Sequence, residues 1–573
     1  MRGKAVALFS ICLTVSLISC GAGKQIKEKL SSLFQDEKKA PATHRLSFTI
    51  YEEKLRGAWA GKMIGASYGD PYDHQFQGQI MENPIRPWNA EYAAAALGHE
   101  DLCAGMTFLE ALDAKGLFVT SREAAEYFAR TKYSLDGAND AARKNVRADI
   151  YPPQSGQPRY NPYANDGDFQ SEADLFGLLC PGMPFTASKL AAPFGEIMSS
   201  GDGFCGGLFT ASLYAAAYFE DSRSEIVMQA LKSIPAQSDY ARLIGEVLEA
   251  YKKDPTDWRS CWKMLEEKWG KSGVGPAGDE KAANADAKLN GGYIVTALLY
   301  GDADFAKTLE ITVRCGRRCG SNAAIAAGVL GTILGYDSIP REYRTGVALI
   351  TDKNFASTPY HFNTLIESCR KWTTDIVRRR GGSLETLGDR QYLTIPIQKP
   401  ALIGQYEPFT AKMANDLQEE WKNLDAVRLS GLQRKLLAEI PAFAKGWTIA
   451  NCGTNSYAGA LKEYRGRYGV FATNPLSQET PCRLTWKGVI PAGKPALRFA
   501  AAADASWTLR VLVNGEELAN KVISNSGGVV EWQTQEFDLS PYAGKNAAIT
   551  LENGSNGGSD ESAYWNRIEI NAE

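Results

Sequence analysis

Apolar residues recur at three- and four-residue spacing from about residue 51 to residue 380, a period that is typical of helices with one buried face. The clearest stretches are residues 121–133, 204–220, 224–252, 258–268 and 304–314. Residues 321–335 consist mainly of Ala, Gly, Ile and Leu, which favours close packing deep in a core. The pattern predicts a helical domain over residues 45–395, followed by a linker and docking helix over residues 396–442.

The period changes to two in the last part of the chain. Trp507, Leu509, Val511 and Val513 alternate with polar residues and lead into Asn514-Gly515, a strong hairpin turn signal. Residues 529–539, 547–551 and 564–570 behave in the same way. Short alternating strands between Gly, Asn and Pro turns predict a β-sandwich of jelly-roll or galactose-binding type over residues 443–573.

Two roles are open for this β-sandwich. It could bind a sugar, or it could brace the helical domain, and the pattern does not separate the two. Trp507, Trp532 and Trp565 are interpreted as core residues rather than as a sugar platform.

The N-terminal residues are predicted to be a targeting segment. Arg2 and Lys4 precede an apolar stretch over residues 5–18 that is too short to span a membrane. Leu17-Ile18-Ser19-Cys20 resembles the cleavage box of bacterial lipoproteins, in which the Cys is lipidated. We therefore expect a signal peptide over residues 1–20, lipidation of Cys20, a polar tether over residues 21–44, and a membrane-anchored cell-envelope protein. An ordinary signal peptide with an incidental Cys is the alternative.

Composition narrows the classes of function. A formal net charge of −3 argues against a nucleic-acid partner. Four His residues make a His-based metal site or triad improbable. The Cys residues form no C-x-x-C pair, which argues against a zinc ribbon, while Cys452 and Cys482 could form a disulfide in an oxidising compartment.

The strongest chemical signal is the acidic block over residues 166–174. If it is helical, Asp168 and Glu172 share one face, and like charges at that spacing are unfavourable for structure alone. Carboxylates beside an apolar run also have their pKa values pushed apart. Acid/base chemistry on a sugar needs such a pair, so the block predicts a catalytic site.

Four ordered segments, over residues 55–70, 99–112, 160–174 and 315–335, together resemble the ADP-ribosylglycohydrolase family. The resemblance covers about residues 48–343. It implies an all-α domain with one acidic cleft, and hydrolysis of a glycosidic bond at an anomeric carbon, commonly with two magnesium ions.

The resemblance also implies where those ions would be held. The early acidic pair of the family matches Glu100-Asp101, whereas its late Asp-Thr-Asp run falls on Arg318-Cys319-Gly320. Magnesium prefers carboxylate and other oxygen ligands, and an arginine repels it. We therefore expect no magnesium cofactor. Arg318 could instead pair with Glu100 or Asp101, hold an anionic group of a ligand such as a uronate or phosphate, or merely neutralise its neighbours.

The candidate site residues follow from the block and from the resemblance. The predicted catalytic residues are Asp168, Glu172, Asp174 and Asp101; the predicted substrate-binding residues are Glu100, Gln170, Asp202, Arg318, Asn322 and Asn139. Structural alternatives remain for several. Asp174 could begin a helix or form a salt bridge, Asp202 could cap a helix, and Asn139 could satisfy a loop backbone.

The sequence thus predicts a lipid-anchored glycoside hydrolase that cleaves an O- or N-glycosidic bond, possibly of a furanoside, by paired carboxylates with little or no dependence on magnesium. Its partners would be a glycan or glycoside and, through Cys20, a membrane. The alternative is an inactive glycan-binding lipoprotein, and a purely structural lipoprotein ranks third. The sugar and its anomer are not indicated.

Overall fold

The computed structural model describes residues 42–525, 531–558 and 560–572. Its helices are α1 (Phe48–Gly69), α2 (Glu100–Lys115), α3 (Ser121–Ala129), α4 (Gly137–Arg147), α5 (Asp168–Glu172), α6 (Asp174–Leu178), α7 (Pro184–Gly195), α8 (Gly201–Ala217), α9 (Arg223–Leu231), α10 (Asp239–Lys253), α11 (Trp258–Trp269), α12 (Glu280–Ala285), α13 (Ala287–Tyr300), α14 (Phe305–Arg314), α15 (Cys319–Leu334), α16 (Arg341–Ala348), α17 (Phe362–Arg379), α18 (Ala411–Lys422) and α19 (Leu424–Phe443). The predicted helical domain followed by a β-sandwich is confirmed.

The strands are β1 (Thr43–Ser47), β2 (Ser383–Leu387), β3 (Arg390–Pro396), β4 (Trp447–Ala450), β5 (Gly459–Tyr464), β6 (Arg467–Thr473), β7 (Cys482–Val489), β8 (Pro495–Ala503), β9 (Ser506–Val513), β10 (Glu516–Ser524), β11 (Gln533–Asp538), β12 (Asn546–Gly554) and β13 (Ala563–Ala572). Two antiparallel five-stranded sheets, in the orders β10-β9-β12-β7-β4 and β11-β8-β13-β6-β5, form the sandwich. Strands β1, β3 and β2 form a small third sheet that the helical pattern did not indicate.

Helices α1 and α15 pack with their backbones in close contact at the centre of the helical domain. Gly57, Gly61, Gly65 and Gly69 recur every four residues and line one face of α1. A Cβ atom added to Gly61 would lie 2.2 Å from the carbonyl oxygen of Ala327. Because the two helices run antiparallel, the end of α1 lies beside the start of α15, next to Arg318.

The acidic block forms two short helices rather than one continuous helix. Asp168 and Glu172 begin and end α5, Ala173 lies between the helices, and Asp174 begins α6. All residues of α5 are buried, since the helix packs mainly against α8 and also against α2 and α15. The block therefore carries its carboxylates into the interior.

The β-sandwich is joined to the helical domain through α19 and several polar contacts. Arg428 of α19 donates to Asn145 Oδ1 over 2.8 Å, and Arg147 donates to the carbonyl oxygen of Asn455 over 2.8 Å. Lys132 contacts Asp560 of the sandwich at 2.6 Å. Charged residues of the helical domain thus meet sandwich loops directly.

The sequence predicts core positions for three tryptophans of the sandwich and a possible disulfide between two of its cysteines. Trp507 and Trp565 are fully buried core residues, whereas Trp532 is half-buried against Tyr464. Cys452 and Cys482 are buried neighbours that both carry free thiols.

The predicted signal peptide and the lipidated Cys20 lie outside the described residues. Within the described parts of the chain, none of the helices has the length and apolar character needed to cross a bilayer.

Candidate functional site

One acidic pocket lies where the N-termini of α2, α4 and α15 converge. Its volume is about 180 Å³. It is lined by Asp73, His74, His99, Glu100, Asp136, Gly137, Tyr163, Asp166, Asp168, Lys281, Ala285, Arg318 and Ser321. The carboxylates come from four separate stretches of sequence, so the pocket exists only in the folded chain.

Arg318 is the cation at the floor of this pocket. Its Nη1 atom donates to Asp168 Oδ1, and its Nη2 atom lies 3.2 Å from Glu100 Oε1 and 3.9 Å from Asp101 Oδ1. Only 8% of Arg318 is exposed. Of the three roles open for Arg318, pairing with Glu100 and Asp101 is observed. Both terminal nitrogens contact carboxylates in this structure, and the role of Arg318 in holding an anionic ligand group stays a prediction.

The N-terminus of α4 holds two carboxylates of the acidic block. The backbone N–H of Ala138 donates to Asp166 Oδ2 over 2.7 Å, and that of Asn139 donates to Asp168 Oδ2 over 2.8 Å. Gly137, with a φ of +51°, allows this approach, since a Cβ there would lie 2.1 Å from Asp166 Oδ2. The positive end of the helix dipole favours the charged form of both groups, whereas burial raises the pKa of Asp166 well above its usual range.

Glu172 lies one layer deeper and connects to the pocket through Asn139. The Asn139 Nδ2 atom donates to Glu172 Oε1 over 2.5 Å. Glu172 is fully buried, and its second oxygen has no hydrogen-bond partner among the described residues. Burial and the nearby Asp168 raise the pKa of Glu172 well above its usual range. A neutral Glu172 is the form that this environment favours.

The pocket carboxyl groups differ in their preferred protonation. Burial and the neighbouring Asp168 raise the pKa of Glu100 well above its usual value. Burial also raises the pKa of Asp168, while the Arg318 ion pair and the Asn139 N–H oppose that shift. In contrast, His99 and Arg318 outweigh burial at Asp101, whose pKa is lowered. The pocket therefore favours the protonated form of Glu100 and the ionised form of Asp101.

Two further residues that line the pocket, Asp73 and His99, have shifted pKa values. Asp73 accepts a hydrogen bond from the Gly320 N–H over 2.6 Å, and burial raises the pKa of Asp73 to about 7. Nearby, His99 Nε2 lies 3.0 Å from Asp70 Oδ1. Burial opposes a charge on His99, but the carboxylates of Asp70 and Asp101 raise its pKa to about 9.

The structure brings together six of the ten predicted site residues. Asp168, Glu100 and Arg318 line the pocket, and Asp101, Glu172 and Asn139 contact or adjoin them; of these, Asp101 and Glu172 lie below its surface. Asp174 is instead fully buried and pairs with Lys62 Nζ at 2.6 Å. That contact is the salt bridge left open as its alternative.

Three predicted substrate-binding residues lie away from the pocket lining. Gln170 accepts from the Tyr240 hydroxyl over 2.7 Å, and Asn322 donates to Asn290 Oδ1 over 2.7 Å. Asp202 Oδ1 accepts from the Tyr406 hydroxyl over 3.0 Å and from the Tyr240 N–H over 3.3 Å. The polar groups of all three residues form hydrogen bonds with other residues of the protein.

Ten of the thirteen lining residues were not predicted as site residues, among them Asp166, His99, Asp73 and Asp136. Asp166 lies in the acidic block and His99 directly precedes Glu100, so both carried a local signal. Asp73 and Asp136 lie in loops with no motif, and only the tertiary structure brings them to the pocket.

The structural role of Asp202 can be tested by measuring how its replacement changes stability at different pH values. Burial raises the pKa of Asp202 to about 6. The folded protein thus favours protonated Asp202. The stabilisation that comes from protonated Asp202 is complete below the ordinary carboxyl pKa and is lost as the pH rises through 6. We expect Asp202→Asn to gain stability relative to the wild type between pH 4 and 7, by on the order of 2–3 kcal/mol. Urea unfolding at each pH measures the difference; a constant difference would contradict the assignment.

The pocket does not fit the dinuclear magnesium centre that the family resemblance implies. The Arg318 guanidinium lies among Glu100, Asp101 and Asp168, where an ion would need their oxygens. Across residues 42–525, 531–558 and 560–572, no cluster of three or more His, Cys, Asp or Glu side chains has a geometry that could hold a metal ion.

Comparison with protein-family models identifies the class to which this helical domain with its acidic pocket belongs. The model of the ADP-ribosylglycohydrolase family matches residues 48–375, so the chain belongs to that family. Family membership supports a glycosidase-like hydrolase activity in general terms. None of the curated proteins matches this chain.

Solved structures resemble parts of the chain at low identity. An ADP-ribosylglycohydrolase-related protein complex is 13% identical, covering 57% of this chain and 99% of its own, with a TM-score of 0.35. A CBM4 structure is 17% identical over 22% of this chain and 86% of its own, with a TM-score of 0.16. A family 35 carbohydrate binding module from Clostridium thermocellum is 19% identical over 21% of this chain and 92% of its own, also with a TM-score of 0.16.

Proposed function

We propose that this protein is a glycoside hydrolase that cleaves an O- or N-glycosidic bond, possibly of a furanoside, by paired carboxyl groups without magnesium. The observation that carries the proposal is the contact of one guanidinium with both Asp168 and Glu100 in an acidic pocket. Glycosidic hydrolysis needs one carboxyl group that donates a proton and another that is ionised.

Glu100 is the proposed general acid. Burial and Asp168 raise its pKa well above the ordinary value, which favours the protonated form. It is the more exposed member of the pair, with 18% of its side chain accessible. A protonated Glu100 can transfer its proton to the leaving oxygen or nitrogen of the scissile bond.

Asp168 is the proposed ionised partner. Arg318 and the Asn139 N–H each contact one of its oxygens and favour the charged form. In that form Asp168 can attack the anomeric carbon or activate a water molecule. Asp101 contacts Arg318 from its buried side and holds it in place, and Glu172 fixes the Asn139 side chain. Asp101 and Glu172 therefore act on the site through another residue.

The cellular setting is also proposed from the sequence. Lipidation of Cys20 would anchor the protein in a bacterial cell envelope, where glycans are available as substrates. The β-sandwich would either bind the same glycan or brace the helical domain.

A glycan-binding protein without activity is the second candidate. The tight pairing of Asp168 with Arg318 favours it, because a paired carboxylate is a weaker nucleophile and base. Binding without turnover would identify this function.

The test is hydrolysis of a panel of aryl and natural glycosides, furanosides included, by the mature protein in excess EDTA. We expect turnover of at least one glycoside, with no gain on adding Mg²⁺, because Arg318 supplies the positive charge in the pocket. Release of the aglycone measures the rate. Activity that appears only with Mg²⁺ would contradict the proposed mechanism.

A further inference from the structure

Three carboxylates share one guanidinium in the pocket. Asp168, Glu100 and Asp101 all contact the terminal nitrogens of Arg318, at up to 3.9 Å. Asp101 and Asp168 are almost completely buried. Buried carboxylates without a counter-ion are strongly unfavourable, so this cluster requires a cation at its centre.

We propose that Arg318 is a resident cation that takes the place of divalent metal ions, and that removing its side chain converts the pocket into a divalent-cation site. The proposal concerns ion binding, so it holds whether or not the protein hydrolyses a glycoside.

Neither Arg317 nor Lys281 can take over from Arg318. Arg317 turns away from the pocket and makes two contacts of 2.9 Å with Glu266. Lys281 lies at the rim, where it is 66% exposed and 3.6 Å from Asp136. Without Arg318, Glu100 and Asp168 would therefore lack an adjacent cation, and Asp101 would keep only His99, whose Nδ1 atom lies 3.8 Å from Asp101 Oδ2.

Truncation of Arg318 would free both space and carboxylate oxygens for a hard cation. The side chain borders a pocket of about 180 Å³, so truncation would leave room for an ion and its water ligands. Divalent cations such as Mg²⁺ and Mn²⁺ take oxygen ligands of this kind.

The experiment compares the mature wild type, Arg318→Ala and Arg317→Ala, with MnCl₂ as the probe. Both substitutions remove one buried arginine from adjacent positions, but only Arg318 lies among the pocket carboxylates. We expect Arg318→Ala to bind Mn²⁺ stoichiometrically, seen as loss of the electron paramagnetic resonance signal of free Mn²⁺. Its Tm should rise by about 5 °C with saturating Mn²⁺, while the wild type and Arg317→Ala show neither effect.

Folded Arg318→Ala that leaves the Mn²⁺ signal unchanged would overturn the proposal. If Arg318→Ala is unfolded in EDTA, refolding in MnCl₂ supports it, and failure to refold in MnCl₂ overturns it. Arg318→Lys retains the positive charge, so we expect it to fold without binding Mn²⁺. Binding by Arg318→Lys as tight as that of Arg318→Ala would also overturn the proposal.

Discussion

Asp168→Asn is expected to lower kcat/KM for the best glycoside by about 10²- to 10⁴-fold. The amide retains an oxygen that can accept the Asn139 N–H, but it carries no charge for attack or for water activation. The substrate still meets Glu100, Asp136 and Tyr163, so we expect KM to change little. Initial rates with the wild type and the variant at matched protein concentration measure the effect.

Asp140→Asn is the matched control for this substitution. Asp140 lies on α4, whose N-terminus holds Asp168, but it pairs with Lys144 on the surface at 2.7 Å. We expect it to retain the wild-type rate within about twofold, since surface substitutions have small effects. Equal loss in both variants would show that Asp168 supports the fold rather than the reaction.

Gly61→Ala is expected to give the largest loss of stability, at least about 3 kcal/mol in the free energy of unfolding. The new Cβ would lie 2.2 Å from the Ala327 carbonyl oxygen, which is backbone and cannot rotate away. Helices α1 and α15 would have to separate, and this would displace Arg318 at the start of α15. Thermal and urea unfolding followed by circular dichroism measure the loss.

Gly245→Ala is the corresponding control in another helix interior. A Cβ on Gly245 in α10 meets no atom within 4 Å. Alanine should therefore raise the stability by up to about 1 kcal/mol through its helix propensity. If both alanine variants unfold at the same midpoint, the close approach of α1 and α15 described above is wrong.

The local pattern of apolar and polar residues was sufficient to predict most of the fold. The three- and four-residue spacing before residue 380 and the alternation around Trp507 each come from one chain segment facing one core. The β1-β3-β2 sheet was missed because β1 pairs with a strand more than 340 residues away, for example Leu46 with Leu393. Such pairing leaves no periodic signal in a short strand.

The site was only partly visible in the sequence. The acidic block pointed to Asp168, and the family resemblance pointed to Glu100, Asp101 and Arg318. The same block also suggested Asp174, whose carboxylate faces Lys62 instead. Residues adjacent in sequence diverge in space at Ala173, where α5 ends and α6 begins.

By itself the sequence determined the helical domain, the β-sandwich, the family, and the presence of Arg318 where the family places an acid. Local periodicity and composition carry that information. Only the tertiary structure decided that Arg318 pairs with Asp168, Glu100 and Asp101, and that Asp73 and Asp136 join them. Charges act over distances in space rather than along the chain, so their partners are set by folding.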